Sequence, residues 1–427
     1  MRPEFNDVHI YIIGLGYVGL PLAVAFSKVY KTTGIDIDRK RIAELCEFYD
    51  RTGEISSAEL KELRGTKFLN ALTESDLNEK ERSIFIITVP TPIDNSKKSD
   101  YQQLFDASSQ VGSLLKKNDI VIYESTVAPG CTEEDCVPIL EKQSGLEYNN
   151  DFYCGYSPER INPGDKTRPL SAIKKITSGS TPEIAEFVDN LYGSIITAGT
   201  HKANSIKVAE AAKLIENCQR DVNISFVNEL ALIFDRMKIN TSEVLEAASS
   251  KWNFLKFSPG LVGGHCISVD PYHMIQKAQS LGYYPALIGA GRRINDNMGS
   301  FVANKAVKLM IQKGMNVKGA KALIMGITFK ENCPDIRNSK VVDIYDELID
   351  YGLKVDVIDM EANDQEVERT FKISLLKKAD MNLYDLIILA VPHHSFMEKY
   401  KELKTSSNRV IFDIKSAWPK HLIDGSL

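Results

Sequence analysis

Cysteine is scarce in this sequence: seven residues in 427, an odd number, with no C-x-x-C pair. That usage excludes a disulfide framework and the common structural-zinc spacings, so no metal is expected and a reducing cytoplasm is the expected compartment. Long apolar runs are missing as well. No stretch reaches the ~18–20 residues that a membrane-crossing helix needs, so no membrane partner is expected. Nor is there a surplus of either charge, with 52 basic against 57 acidic side chains and a net charge of −5. Such a balance lacks the footprint of a general nucleic-acid binder. The polar opening (Met1–Val8) enters a strand at once and is read as leaving no room for a signal peptide. Low-complexity segments and solenoid repeats are absent.

What is present is ordinary globular material, 43% hydrophobic and 26% charged, in a length that suits two or three domains. Val8–Ile13 is a short β-branched run that stops at Gly14, and reads as a buried parallel strand. A helical pattern (Val18 to Val29) and a second strand ending at Asp36 follow, with further strands at Ser83–Val89 and Ile120–Tyr123. Strands alternating with helices predict a parallel sheet covered on both faces. From Ala203 the texture becomes helical. Val208 to Met237 holds no Gly or Pro, and its apolar residues recur at three- and four-residue spacing. A helix of about thirty residues exceeds the usual globular length and implies a span between domains or a subunit interface. A second helical region follows Gly282, with Gly289, Gly291 and Gly299 expected to allow close packing. The βαβ texture returns at Lys321–Met325, Val355–Ile358, Leu386–Val391 and Arg409–Ile414. The expected architecture is α/β, with two parallel-sheet ends on either side of a long helix, a sheet–helix–sheet organisation. Its divisions are 1–200, 201–315 and 316–427.

Between the first strand and helix stands a complete G-x-G-x-x-G, Gly14-Leu15-Gly16-Tyr17-Val18-Gly19. The first glycine permits the tight turn, the second lets backbone approach a pyrophosphate, and the third lets helix lie on strand. The helix N-terminus then offers free N–H groups to the anion. Asp36, about twenty residues on, completes the fingerprint. Its carboxylate is expected to accept from ribose hydroxyls and favour NAD over NADP. Arg39, Lys40 and Arg41 lie just beyond and are positioned to soften that preference.

Six cysteines (Cys46, Cys131, Cys136, Cys154, Cys218, Cys333) default to small buried hydrophobes. Cys266 differs, because it sits in the glycine-rich Gly260-Leu261-Val262-Gly263-Gly264-His265-Cys266-Ile267-Ser268-Val269-Asp270. Such a loop admits another molecule close to the backbone, and a thiolate is a strong nucleophile. On chemistry alone, a nucleophile and a plain loop thiol both remain open.

These segments carry a family resemblance. Together with VPTP (Val89–Pro92), ESTVAPG (Glu124–Gly130), YSPERINPG (Tyr156–Gly164), EAAKLIEN (Glu210–Asn217) and GITFKENCPDIRNS (Gly326–Ser339), the chain resembles the UDP-glucose/GDP-mannose dehydrogenase superfamily. The form Glu159-Arg160-Ile161-Asn162-Pro163-Gly164 resembles the branch that oxidises UDP-N-acetylhexosamines for bacterial surface polysaccharides, including the Vi-antigen type. Pro163 stands where UDP-glucose enzymes carry an acidic or polar residue, which leaves more of the hydrolysis to Glu159.

The resemblance implies roles. Cys266 matches the nucleophile; Lys213 and Asn217, one turn apart, match the pair that orients the reacting carbon and stabilises the oxyanion. Asp270, Thr126 and Glu159 match groups around a water, with Glu159 its base. For NAD the implied contacts are Gly14, Gly16, Tyr17, Val18, Gly19, Asp36, Arg41, Thr91, Ser125, Thr126 and Arg337. For the UDP-sugar they are Glu159, Arg160, Lys213, Asn217, Phe257, Gly260, Gly263, Lys330 and Lys415. The resemblance also implies two Rossmann-like parallel-sheet domains joined by the long helix, and a homodimer around that helix. Four-electron oxidation of a primary alcohol to the acid would proceed through a thiohemiacetal and a thioester on the cysteine. UDP-N-acetylglucosamine is the favoured sugar, with the N-acetylgalactosamine and N-acetylmannosamine nucleotides as alternatives. Two other classes compete: a cysteine hydrolase using His265 or His273, which leaves the dinucleotide fingerprint unexplained, and a catalytically silent nucleotide-sugar binder, which leaves Cys266, Lys213, Asn217 and Glu159 unexplained.

Overall fold

The computed structural model describes residues 8–63, 66–78, 80–94, 96–160, 169–404 and 408–427. They form two compact units. The first runs to Glu216 and includes Tyr272–Leu281; the second comprises Asn217–Pro271 and Gly282–Leu427. One helix, Ile206–Met237, is continuous through the division.

In the first unit the strands are β1 (Val8–Ile13), β2 (Lys31–Ile35), β3 (Lys67–Leu69), β4 (Arg82–Ile87), β5 (Ile120–Tyr123), β6 (Tyr153–Tyr156), β7 (Lys175–Gly179) and β8 (Thr200–Lys202). They lie in the order β3-β2-β1-β4-β5-β6-β7-β8. Pairing is parallel except between β6 and β7, which run antiparallel, a departure from the all-parallel expectation. The continuous apolar runs have a direct cause. Ile10, Ile12, Ile84 and Ile86 fill a core on one face, while Tyr11, Ile13, Phe85 and Ile87 fill a core on the other. A strand covered on both sides has no polar face to alternate with.

The second unit holds β9 (Lys321–Met325), β10 (Lys354–Ile358), β11 (Leu375–Leu376), β12 (Leu386–Leu389) and β13 (Val410–Asp413), in the order β11-β10-β9-β12-β13. That is the order of the first five strands of the other sheet. The likeness extends to single bonds. Gly14 (φ +93°) and Gly326 (φ +91°) end the central strands, and each donates its N–H across 2.8 Å to the last residue of the neighbouring strand, Ile35 and Ile358. Asp36 then accepts from Leu15 N at 2.8 Å, as Asp359 accepts from Ile327 N at 2.6 Å. Both units are Rossmann-like.

Two expectations need correction. A Cβ on Gly291 would meet Ser225 Oγ at 2.8 Å, and one on Gly299 would meet Asp343 Cβ at 2.7 Å, so both pack closely. Gly289 does not: its nearest neighbour is the Tyr284 hydroxyl at 4.0 Å. Cys46 is exposed rather than buried, because it ends the helix Arg39–Cys46 on its solvent side. No helix among the described residues is long and apolar enough to cross a membrane.

Candidate active site

The dinucleotide loop of the first unit is built for an anion. A Cβ on Gly19 would fall 1.8 Å from Gly14 O, so only glycine lets the helix start there. Gly16 faces the other way, with nothing within 4 Å of where a Cβ would stand. That open cradle admits a phosphate close to the backbone. The helix Gly19–Ser27 begins at Val18, with no side-chain cap and no acid in its first turn. Leu20 N–H is taken by Gly16 O at 3.2 Å and Pro21 has none, so what favours an anion here is the open glycine backbone and a helix dipole with no acid beside it, and the residues fit NAD.

Asp36 accepts from Leu15 N through one oxygen and from Asp38 N through the other, at 2.8 and 2.9 Å. A carboxylate has about four acceptor positions, so two remain for ribose hydroxyls. Arg41 behaves otherwise than expected. It is buried, donating from Nε to Leu15 O at 2.9 Å and pairing with Asp50 across 2.8 Å. It braces the loop from within, and a guanidinium so placed gives no basis for easing NADP entry.

Loops after β4 and β5 meet at the carboxyl edge of the sheet beside Gly14, where an open α/β sheet places its ligands. Thr91 Oγ1 donates to Thr126 O (2.6 Å), Ser125 Oγ to Val89 O (2.6 Å), and Thr88 Oγ1 to Gly14 O (2.6 Å). His273 is buried against the same loops through Ser99, Tyr101 and Thr91 O. Buried Lys213 donates to Glu159 O at 2.9 Å and lies 3.4 Å from Glu159 Oε1. Arg160 pairs with Glu216, a helical turn beyond Lys213. Pro163 lies outside the described residues.

In the second unit, Asn217 Nδ2 donates to Asp270 Oδ2 at 2.6 Å, and both residues are buried. Asp270 opens the helix Asp270–Ser280, its N–H bonded to Cys266 O at 2.8 Å. The thiol-bearing turn is thereby closed directly onto the carboxylate that holds Asn217. Cys266 itself is half-buried. Gly263, Phe329, Lys330 and Lys415 line one recess at the carboxyl ends of β9, β12 and β13. Lys415 pairs with Glu331 at 3.0 Å, and a Cβ on Gly260 would stand 3.8 Å from Lys415 Cε. Arg337 is laid on Asp335 through two nitrogens at 3.0 and 2.6 Å. Tyr17, Val18 and Phe257 are half-buried.

Some contributors escaped the sequence reading. Asn228, wholly buried on the long helix, grips the Gly260 peptide from both sides, accepting its N–H at 2.8 Å and donating to its carbonyl at 3.0 Å. A polar residue on the inward face of an amphipathic helix was the signal available. His393 is another. Its Nδ1 accepts from Asn332 N, which leaves Nε2 to donate to Asp359 at 3.1 Å. The hydrogen bonds from His393, Ile327 and Ala362 outweigh burial and hold the Asp359 carboxyl at about 2. Together they brace the loop that carries Lys330.

Comparison with known proteins agrees with this geometry. The chain matches the UDP-glucose/GDP-mannose dehydrogenase family in three consecutive parts: the NAD binding domain over residues 8–196, the central domain over 207–297 and the UDP binding domain over 323–420. It is 56% identical to a UDP-N-acetyl-D-glucosamine 6-dehydrogenase of Pseudomonas aeruginosa, covering 96% of this chain and 97% of that one. With an enzyme of the same name from Salmonella typhi it shares 53% over 98% of each. The solved structure of a UDP-D-ManNAc dehydrogenase from Pyrococcus horikoshii superposes with a TM-score of 0.85 at 28% identity, over 96% of both chains. The open glycine cradle thus belongs to an NAD site and the second sheet to a nucleotide-binding domain, and the chain is a member of the UDP-glucose/GDP-mannose dehydrogenase family, an NAD-dependent nucleotide-sugar dehydrogenase.

Proposed function

We propose that this dehydrogenase oxidises the C6 hydroxymethyl of a UDP-N-acetylhexosamine, UDP-N-acetylglucosamine above the others, to the uronic acid for surface-polysaccharide biosynthesis. Identity above half, over nearly the full length, to two relatives named for UDP-N-acetyl-D-glucosamine is the observation that carries the sugar. In this reading 1–200 holds the cofactor, 201–315 carries the nucleophile and a homodimer contact, and 316–427 receives the UDP moiety.

Going from alcohol to carboxylate removes four electrons, which NAD, when bound at the glycine cradle, would take up as two hydrides per sugar. The protein's task is to keep the aldehyde from leaving between those steps. Cys266 Sγ bonds to the aldehyde carbon, and the carbonyl oxygen takes a proton to give a thiohemiacetal. Removal of the second hydride and that proton leaves a thioester. Water then attacks the thioester carbon, Glu159 takes its proton, and the C–S bond breaks to release the acid and restore the thiolate. Lys213 supplies positive charge, and Asn217 an amide donor, to the oxygen that becomes negative in these additions. The bond that Asn217 donates to Asp270 fixes which way its amide points. Thr126 orients the water.

The test is a panel of UDP-glucose and the UDP-linked N-acetylglucosamine, N-acetylgalactosamine and N-acetylmannosamine, followed by NADH absorbance. Two NADH per sugar are expected, with the highest kcat/KM for UDP-N-acetylglucosamine. A higher value for another sugar overturns the substrate. Cys266→Ala should abolish acid formation, and near-normal acid from it would remove the covalent route. Glu159→Gln should give a burst of about two NADH per active site and then stall as the acyl-enzyme.

A further inference from the structure

The Cys266 loop and the loop that carries Lys330 and Arg337 are joined within the second unit through the backbone of a single residue. Gly264 donates its N–H to Arg337 O at 3.0 Å, and its carbonyl accepts from Asn338 Nδ2 at 2.9 Å. The same carbonyl accepts from Ser268 Oγ at 2.5 Å, which closes the turn around Cys266. Fit at this junction is tight. A Cβ on Gly263 would stand 2.7 Å from Asn338 O, and one on Gly264 would stand 2.9 Å from the Phe329 ring. Lys330 Nζ lies over that ring, 5.4 Å from its centre. The two glycines, the Phe329 ring and the Lys330 ammonium therefore form one connected stack.

Asn338 is the unusual member. It holds a left-handed backbone (φ +52°), a conformation that asparagine tolerates better than other side-chain-bearing residues, and it is exposed. Its amide is the side-chain bond between the two loops on the Gly264 carbonyl. An exposed asparagine in that conformation adds little to the fold, whereas its bond ends two residues from the thiol.

We propose that Asn338 is a positioning residue that locks the Cys266 turn to the nucleotide-sugar loop, so that filling the nucleotide site sets the position of the thiol. The inference rests on the reading of Cys266 as nucleophile and of the Lys330 loop as a contact to the UDP-sugar. It goes further in making the two interdependent. A substrate whose nucleotide is seated would hold the Lys330–Phe329–glycine stack still, and Asn338 would transmit that restraint to the thiol. With the bond removed, nucleotide would still bind, but the thiol would no longer respond.

Asn338→Gly keeps the backbone conformation and deletes the amide. Asn338→Asp keeps the size and replaces the donor with an acceptor facing a carbonyl. Both should fold, with melting temperatures near the parent's. For Asn338→Gly, kcat should fall by about 10–100-fold, the cost of a misplaced reacting atom, while KM for the UDP-sugar changes by less than about 3-fold. The second readout is alkylation of Cys266 by iodoacetamide, with and without UDP, which has no hexose to cover the thiol. In the parent, UDP should slow labelling. In Asn338→Gly, UDP should bind with parental affinity by calorimetry and leave the labelling rate unchanged. Parental kcat together with a parental UDP response in Asn338→Gly overturns the proposal. A merely structural role would lower the melting temperature and leave the UDP response intact, which also overturns it. Cys266→Ala, run in parallel, separates the two readings: acid production by that variant removes the nucleophile assignment, whereas the labelling comparison reports on the Asn338 lock by itself.

Discussion

Lys175 commits all three of its ammonium hydrogens inside the protein. They go to Glu124 Oε2 at 2.8 Å, Ser157 O at 3.2 Å and Pro158 O at 3.1 Å. With Lys213 on Glu159 O, three consecutive carbonyls leading into the proposed base are held by two lysines. Glu124 also accepts from the Tyr192 hydroxyl at 2.5 Å. Burial pushes the Glu124 carboxyl up, opposed by Lys175 and Tyr192. Removing the cation alone should therefore be worse than removing the pair. Lys175→Met leaves a buried carboxylate without its partner and should cost about 3–5 kcal/mol, read as a lower urea midpoint. Lys175→Met with Glu124→Gln should recover part of that loss, and a double variant no better than the single would count against an ion pair here. The sequence carried only half of this arrangement. Glu159 and Lys213 lie in recognisable motifs, as do Cys266 and Asp270, and the structure bonds Lys213 to Glu159 and Asn217 to Asp270. Lys175 sits in a plain Lys174-Lys175-Ile176-Thr177 run, where nothing distinguishes it from a solvated lysine. Supporting residues act through tertiary contacts, which no local spacing reports.

One turn before Lys213 on the long helix, Glu210 accepts from Gly130 N at 2.5 Å and Thr132 N at 2.9 Å. It fastens the helix to the start of Thr132–Cys136, a π-helical turn that follows the ESTVAPG segment. Burial raises the Glu210 carboxyl from 4.5 to about 7, against the hydrogen bonds that lower it. The sign follows. Between 4.5 and about 7 the folded protein keeps a proton that the unfolded chain has lost, so stability falls as pH rises through that window. At about 1.4 kcal/mol per unit the difference is about 3 kcal/mol. Glu210→Gln cannot titrate, so its stability relative to the parent should improve by about that amount from pH 4.5 to pH 7.5, measured by urea unfolding at each pH. Parallel curves would remove Glu210 as the titrating group. Legibility also varied by element. Runs such as Ile84–Ile87 and Ile120–Tyr123 announce central strands, because burial on both faces demands apolar residues throughout. β3, β6, β7, β8 and β11 carry no such signal. Lys175-Ile176-Thr177-Ser178-Gly179 and Thr200-His201-Lys202 are short and mostly polar, and their partners rather than their composition make them strands. The long helix is legible to within two residues at its start, since thirty residues free of Gly and Pro leave little else.

At the scale of the whole molecule, the long helix displays a feature that a single chain does not use. Val208, Ile215, Phe226, Ile233 and Met237 are all large, apolar and exposed, at 52, 57, 55, 43 and 58% of their full surface. At about 100° per residue they fall within roughly 40° of arc, forming one line along the helix. A single exposed aliphatic residue is ordinary, but five large apolar residues exposed along one side of a helix, with only Gln219 among them, are what a partner surface would use. The partner proposed above is a second copy of the chain. A two-fold contact presents the same surface twice, so one apolar line is self-complementary, and like charges opposed across it are not. Sedimentation should give twice the chain mass of 47.7 kDa at micromolar concentration. Phe226→Asp places a carboxylate on the line, and two-fold symmetry brings in a second from the other copy. Burying such a pair without counter-charges costs several kcal/mol, enough to raise the dimer dissociation constant at least about 100-fold. The variant should therefore sediment as a monomer while keeping its melting transition, because Phe226 is exposed in the isolated chain. A parent protein that stays monomeric at all concentrations, or a Phe226→Asp dimer as tight as the parent's, would remove this face from the interface.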